Sequence, residues 1–148
     1  MRLWPLLADH AQALGGKLYV MGAGWNIAGP GPTTMALAGI LELAWDEANE
    51  PKAFRIELLT EDGQPVAVPT PTGDRPVVLE GHVEVGRPAG TRRGSMFNIP
   101  IALNIGPLAI PPGAGYVWQF WIDGHTQEDW RLPFSTRAVH AAPAGPPT

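Results

Sequence analysis

Three side chains that could bind a metal ion occupy alternate positions of one predicted strand: Glu80, His82 and Glu84. Alternate strand residues share a face at a spacing of about 7 Å, at which carboxylate and imidazole groups can share a metal. No second cluster of histidines and carboxylates is evident in the sequence to complete and support a coordination shell. We therefore interpret the row as a solvated polar face, and a metal-dependent enzyme is the weakest functional hypothesis.

Motifs for covalent catalysis and nucleotide binding are incomplete. Asp9 and His10 point to opposite faces of an extended strand, so Asp9 cannot orient the imidazole. The two serines, Ser95 and Ser135, lie outside any Gly-x-Ser-x-Gly elbow. In segment 22–29 the third glycine comes two residues too late for the dinucleotide fingerprint, and prolines replace the helix. The sequence therefore predicts a protein that is not an enzyme and that uses no cofactor.

Tryptophans are the first group of candidate binding residues. Six tryptophans are many for 148 residues, and an exposed indole can stack on a sugar ring or anchor a protein interface. Strand alternation places Trp45, Trp118 and Trp130 in the core. By the same alternation Trp121 points opposite to Trp118, and Trp25 lies in a loop, so these two are the candidate outward anchors.

Arginines are the second group, because three of them fall in one predicted loop. Guanidinium groups there could bind phosphate or an acidic partner through bidentate contacts. The predicted partner-binding residues are therefore Trp25, Trp121, Arg87, Arg92 and Arg93.

Composition restricts the class of protein. Apolar residues make up 45% and charged residues 16% of the chain, with 18 Gly and 17 Pro. This suits a folded domain of short strands joined by tight turns. A net charge of -4 argues against nucleic-acid binding, which needs a basic face. With no cysteine there is no thiolate zinc site, and no run approaches the ~20 apolar residues of a membrane span.

Alternating apolar and polar residues predict eight or nine strands at intervals of about ten residues. Asp62-Gly63 is expected to turn a hairpin between 54–58 and 66–68, and Asp123-Gly124 a second between 116–122 and 130–134. We predict an all-β domain, residues 1–140, in which two antiparallel sheets form an immunoglobulin-like or C2-like β-sandwich. Its core is expected to include Phe97, Ile99, Ile101, Leu103, Trp118 and Phe120.

Segment 33–47 is compatible with two secondary structures. A period of two places Met35, Leu37, Leu41, Leu43 and Trp45 on one face of a strand. Its Ala and Leu content also favours a helix, whose apolar face would leave Met35 and Leu43 pointing away. We prefer the strand and keep the helix as the alternative.

A series of short motifs resembles a family of small bacterial proteins to which no activity is assigned. The resemblance spans most of residues 3–135 and implies a β-sandwich, with no catalytic residue to carry over. The residues that carry it are Leu6-Leu7-Ala8-Asp9, Ala11, Gly16-Lys17-Leu18, Val20, Gly22 and Ile27, followed by Gly115-Tyr116 and Asp123-Gly124.

The two ends of the chain bear on location and partners. The apolar run Leu3–Ala8 is interrupted by Asp9 and His10, so we expect no signal peptide and a location in the cytoplasm or in an assembled particle. The Pro/Gly-rich segment 141–148 has little to bury, and we expect it to contact other chains.

These expectations favour a non-catalytic interaction or assembly module. It would self-associate or join a larger assembly, such as a viral or phage particle or another homo-oligomer. The alternative is a domain that binds a carbohydrate or another small ligand.

Overall fold

A computed structural model of the protein describes residues 1–139; the predicted tail 141–148 lies outside the described residues. This part of the chain is all-β, as predicted, and its helical content is a single 3₁₀ turn, Trp45–Glu47. The strands are β1 Arg2–Leu14, β2 Lys17–Ala23, β3 Ile27–Ala28, β4 Thr33–Leu43, β5 Lys52–Thr60, β6 Ala67–Thr70, β7 Gly73–Pro76, β8 Val78–Val83, β9 Phe97–Leu108, β10 Gly115–Ile122 and β11 Arg131–Thr136.

Nine of these strands form two sheets. The four-stranded sheet has the order β2-β1-β4-β9 and is antiparallel throughout. The five-stranded sheet has the order β3-β11-β10-β5-β8. It departs from the expected antiparallel pattern only where the two-residue β3 runs parallel to β11. The strands exceed the expected eight or nine because β3 and β7 are too short to show an alternating pattern.

The first predicted hairpin forms only at its turn. Thr60 N–H donates to the Gln64 carbonyl at 2.8 Å, and Leu59 and Pro65 form an isolated bridge. Beyond Val66 the chain leaves β5, and β6 pairs with β7 instead. The prediction that 66–68 returns along 54–58 is therefore wrong beyond this turn, because β8 and β10 occupy the two edges of β5.

The second hairpin is confirmed, with β10 and β11 paired from Gly115 to Gln119. Asp123 and Gly124 both adopt positive φ, at 50° and 76°, as the tight turn between twisted strands requires. The Asp123 carboxylate accepts a hydrogen bond from Ala53 N–H at 2.8 Å. This hydrogen bond connects the turn to the start of β5.

Segment 33–43 is a strand, which excludes the helical alternative. Four of its large apolar residues are buried: Met35, Leu37, Leu41 and Leu43. The fifth, Trp45, lies past the end of β4 in the 3₁₀ turn and is only half-buried. Its predicted core position is wrong because the chain leaves the strand after Leu43 and turns at Trp45–Glu47.

One apolar core contains residues from both sheets. Trp118 and Phe120 of β10 are buried, and the β9 residues Phe97, Ile99, Ile101 and Leu103 pack against the same cluster while half-buried. The predicted shared core is therefore confirmed, with β9 at its more open side. This follows from topology, because β9 is an edge strand.

The outer face of the four-stranded sheet carries a second, smaller cluster of buried alanines: Ala8, Ala11, Ala36 and Ala38. Leu18 and Val20 of β2 pack against it. Asn104 of β9 binds both backbone groups of Ala11, accepting from its N–H at 3.1 Å and donating to its carbonyl at 2.8 Å. The far half of the β1–β2 hairpin therefore packs on this outer face, where small side chains allow a close approach.

Candidate functional site

An open groove of about 520 Å³ crosses the outer face of the five-stranded sheet. Antiparallel register sets Trp121 of β10 opposite Arg55 of β5, and Arg55 opposite Glu80 of β8. Three neighbouring strands thus bring side chains from distant parts of the sequence into one row. The side chains on which the chemistry depends are Ala53, Arg55, Glu57, Glu80, His82 and Trp121.

Charges in this groove are paired but loosely held. Arg55 Nε lies 3.6 Å from Glu57 Oε1 and also 3.6 Å from Glu80 Oε1. Arg55 is about half-exposed and Glu80 is more exposed, whereas Glu57 is mostly covered. At these distances the pairs are ionic contacts rather than hydrogen bonds. The guanidinium therefore keeps donors that can turn to a ligand.

The regular row of Glu80, His82 and Glu84 expected from strand alternation does not form in the structure. β8 ends at Val83, so Glu84 lies beyond the strand that carries Glu80 and His82. Glu80 pairs with Arg55 instead. Among residues 1–139, no group of three or more His, Asp or Glu side chains is placed to hold one ion.

A second surface, which sequence analysis missed, is the exposed side of the β1–β2 hairpin. Four large apolar side chains on these two strands remain exposed to solvent: Trp4 at 53%, Leu14 at 61%, Tyr19 at 52% and Met21 at 69%. Leu18 and Val20 pack on the alanine cluster, so Tyr19 and Met21 point the opposite way. We call Leu14, Tyr19 and Met21 the hairpin surface.

The sequence signal for this surface was the apolar character of both sides of β2. In the run Lys17-Leu18-Tyr19-Val20-Met21, both alternating sets are apolar. Such a strand either is buried on both faces or exposes one apolar face. The alternation of residues in β2 does not indicate which of these two arrangements forms.

The model of a family of unknown function, DUF6941, matches residues 3–135. The chain belongs to this family. The match runs from β1 into β11 and so includes both surfaces described above. No curated protein and no solved structure matches the chain.

Arg87 does not extend into solvent in this DUF6941 protein. Its guanidinium carbon lies 4.4 Å from the centre of the Trp45 ring, and its Nε donates to the Trp45 carbonyl at 3.1 Å. Trp45 in turn stacks on Phe97, with ring centres 5.9 Å apart. The Arg87 side chain is therefore held against Trp45 within the fold, and its binding of a partner stays a prediction.

The other two loop arginines have the predicted exposure. Arg92 and Arg93 are exposed in a turn where Ser95 N–H donates to the Arg92 carbonyl at 3.1 Å. Their binding of a partner stays a prediction.

Trp25 faces inward rather than outward. Its ring meets Phe134 edge-on, with centres 6.4 Å apart, and it packs against the main core. Its Nε1 is buried and has no hydrogen-bond partner among the described residues. The predicted outward orientation is therefore wrong, because the loop places the indole against β11.

An ionic cluster lies beside the 3₁₀ turn. The amino group of Met1 lies 3.2 Å from Glu47 Oε1, which also accepts a hydrogen bond from Ala44 N–H at 2.9 Å. The Ala44 hydrogen bond is the main cause that lowers the pKa of Glu47 below its ordinary value of 4.5, aided by the amino group and Lys52 against a cost of desolvation. This cluster stabilises the fold where β1 begins.

Proposed function

We propose that this protein is a non-catalytic interaction domain that assembles with further copies of itself. The observation that carries the proposal is the hairpin surface, where Leu14, Tyr19 and Met21 are exposed on two adjacent strands. These side chains share their face with His10, Gln12 and Lys17. Exposed apolar side chains that lie close together favour association, because burial removes them from water. The product would be a homo-oligomer or a repeated assembly such as a viral or phage particle.

The edge of β2 supplies a way for two copies to join. β2 pairs only with β1 among the described strands, so its other edge offers unpaired N–H and C=O groups. Natural edge strands are usually protected by charges, prolines or a covering segment. β2 carries one charge, Lys17, at its first residue. Antiparallel addition of a second β2 would pair these groups and extend the four-stranded sheet across both copies.

Side chains favour one register of this pairing. With Val20 at the two-fold axis, Tyr19 of one copy lies opposite Met21 of the other, and the reverse pair forms on the same face. Cross-strand pairs of an aromatic and a flexible apolar residue stabilise antiparallel sheets. Gly22 adopts a φ of 63°, which bends the strand and limits regular pairing to residues 17–21.

A β-sandwich is the architecture proposed for this domain. The support is the single core to which both the four-stranded and the five-stranded sheet contribute, as expected when two sheets pack face to face. The same proposal includes an immunoglobulin-like or C2-like arrangement, a bacterial origin and the opening motif around Leu6-Leu7-Ala8-Asp9.

We propose a role without catalysis, nucleic acid or membrane. The net charge of -4 disfavours a basic face of the kind that nucleic-acid binding needs. Within residues 1–139, no helix is long and apolar enough to span a membrane. We propose a cytoplasmic protein or a component of an assembled particle.

The test is the mass of the protein in solution as a function of concentration. Sedimentation equilibrium from about 1 to 100 μM should show a dimer or larger species, a range that detects dissociation constants of about micromolar. Met21→Lys should weaken association by roughly a hundredfold, since it places a charge in the interface. Met96→Lys is the matched control, because Met96 is also exposed but lies outside the strands.

Two results would contradict the proposal. The first is a monomeric wild-type protein across the whole concentration range. The second is association that Met21→Lys and Met96→Lys leave equally strong.

A further inference from the structure

We propose that the groove of the five-stranded sheet binds a neutral, hydroxyl-rich ligand, a short oligosaccharide, with Trp121 as the stacking platform. This site lies on a different sheet from the hairpin surface. It is therefore independent of the self-association proposed above.

Trp121 has the position that stacking requires. Side chains alternate along β10, so Trp118 and Phe120 point into the core and Trp121 points outward. Trp118 and Phe120 are buried, whereas Trp121 is half-exposed. β10 is flanked by β11 and β5, so its backbone is held on both sides. An indole fixed in this way loses little conformational freedom when the apolar face of a sugar ring packs on it.

The charges of the groove favour a neutral ligand. Arg55 stands between Glu57 and Glu80 at 3.6 Å from each. A phosphate or carboxylate bound at Arg55 would meet these two carboxylates, and a cation bound at the carboxylates would meet Arg55. Hydroxyl groups both donate and accept hydrogen bonds. They can therefore use the guanidinium donors and the carboxylate acceptors together.

Hydrogen-bonding capacity remains free in the groove. In the part of the chain that the structure describes, Arg55 makes only the two contacts of its Nε, and the exposed carboxylate of Glu80 has Arg55 as its single charged partner. His82 is exposed beside them. The hydroxyl groups of a sugar can therefore replace water as hydrogen-bond partners of these side chains, and no buried network has to break.

The size of the groove suits a chain of sugars. Its volume of about 520 Å³ lies within the roughly 300–1,000 Å³ of small-molecule sites. Its lining also includes the small side chain of Ala53 and Gly124. An oligosaccharide could lie across the strands and extend past the groove.

An extended peptide is less suited to this face. The backbone of β5 is paired to β10 on one side and to β8 on the other, so β5 offers no ladder hydrogen bonds to an added strand. An added strand would pair only at the outer edge of β8, at the margin of the groove, and a protein partner on the face itself would bind through side chains. This makes protein binding an outcome that the experiment must be able to detect.

The experiment is isothermal titration of the full chain with four neutral hexasaccharides, namely cellohexaose, xylohexaose, mannohexaose and chitohexaose. At least one should bind with a dissociation constant on the order of 1 mM or tighter. Trp121→Ala and Arg55→Ala should each weaken binding by roughly tenfold or more, through loss of stacking and of donors. Trp4→Ala is the matched control, because Trp4 is an exposed tryptophan on the other sheet.

The outcomes separate this proposal from the one on assembly. It is overturned if no hexasaccharide binds, if binding survives both Trp121→Ala and Arg55→Ala, or if Trp4→Ala weakens binding equally. It is also overturned if Trp121→Ala weakens self-association in sedimentation, because the groove would then be a protein interface. Loss of association in Met21→Lys with unchanged sugar binding supports both proposals.

Discussion

The indole Nε1 of Trp118 donates a hydrogen bond to the Met35 sulfur at 3.3 Å, across the core between the two sheets. The two residues are 83 positions apart in the sequence, and both are almost completely buried. Sulfur is a weak acceptor, so packing rather than this bond dominates the contribution of Trp118 to stability.

Trp118→Ala should lower the free energy of unfolding by roughly 3–5 kcal/mol, because it leaves a large cavity between the sheets. Met35→Leu, which keeps the volume and removes the sulfur acceptor, should cost less than about 1.5 kcal/mol. Urea unfolding followed by circular dichroism measures both. A loss below about 1 kcal/mol for Trp118→Ala would show that the indole is not tightly packed.

Asn104→Ala should cost roughly 1–3 kcal/mol, because it removes the side chain that satisfies both backbone groups of buried Ala11. The control is Asn98→Ala, an exposed asparagine on the same face of β9. It should change stability by less than about 0.5 kcal/mol. Equal unfolding midpoints for the two variants would contradict the role of Asn104 in docking the hairpin.

Glu47 predicts a pH dependence of stability. Its pKa in the folded protein is lower than the ordinary value of 4.5, so folding favours the ionised form. The stabilisation is fully present above pH 4.5 and is lost as the pH falls through the folded pKa. Glu47→Gln should therefore lower the melting temperature at pH 7 and make little difference near pH 2. The same deficit at both pH values would show that the charge of Glu47 is not responsible.

Arg87→Ala should destabilise the protein by roughly 1–2 kcal/mol, because the guanidinium both covers the Trp45 ring and donates to its carbonyl. Arg92→Ala, in the same loop but exposed, should change stability by less than about 0.5 kcal/mol. Thermal melts of the two variants decide this. Equal melting temperatures for Arg87→Ala and Arg92→Ala would show that the contacts of Arg87 with Trp45 do not stabilise the fold.

Truncation after His140 should leave the melting temperature nearly unchanged and weaken self-association. The segment 141–148 contains only Ala, Pro, Gly and Thr, so it has little apolar surface to bury. Differential scanning calorimetry and sedimentation of the truncated chain measure the two effects. Unfolding on truncation, or association as strong as that of the full chain, would remove this segment from the proposed assembly contacts.

Local sequence determined much of the fold. The period of two in β5, β9, β10 and β11 reflects which side chains each strand buries, and this depends on residues only two positions apart. It therefore predicted the burial of Trp118 and Phe120 correctly. The turn at Asp123-Gly124 was predictable for the same reason, because its positive φ angles depend on the residues at the turn itself.

Tertiary structure decided which strands are neighbours. β5 lies between β10 and β8 rather than in a hairpin with β6, and only this order sets Trp121, Arg55 and Glu80 in one row. Pairing between strands far apart in sequence depends on the packing of the whole core, which no local period encodes. The sequence therefore indicated Trp121, Glu80 and His82 only as separate candidates, because no local pattern places them in one groove.

Tertiary structure also decided which apolar residues remain outside. Trp25 points inward because its ring packs against Phe134. Trp45 lies outside the core because the chain turns directly after β4. Leu18 and Val20 were covered because the hairpin packs on four alanines, which left Tyr19 and Met21 exposed. An apolar residue is buried only where another element covers it, and that depends on contacts far along the chain.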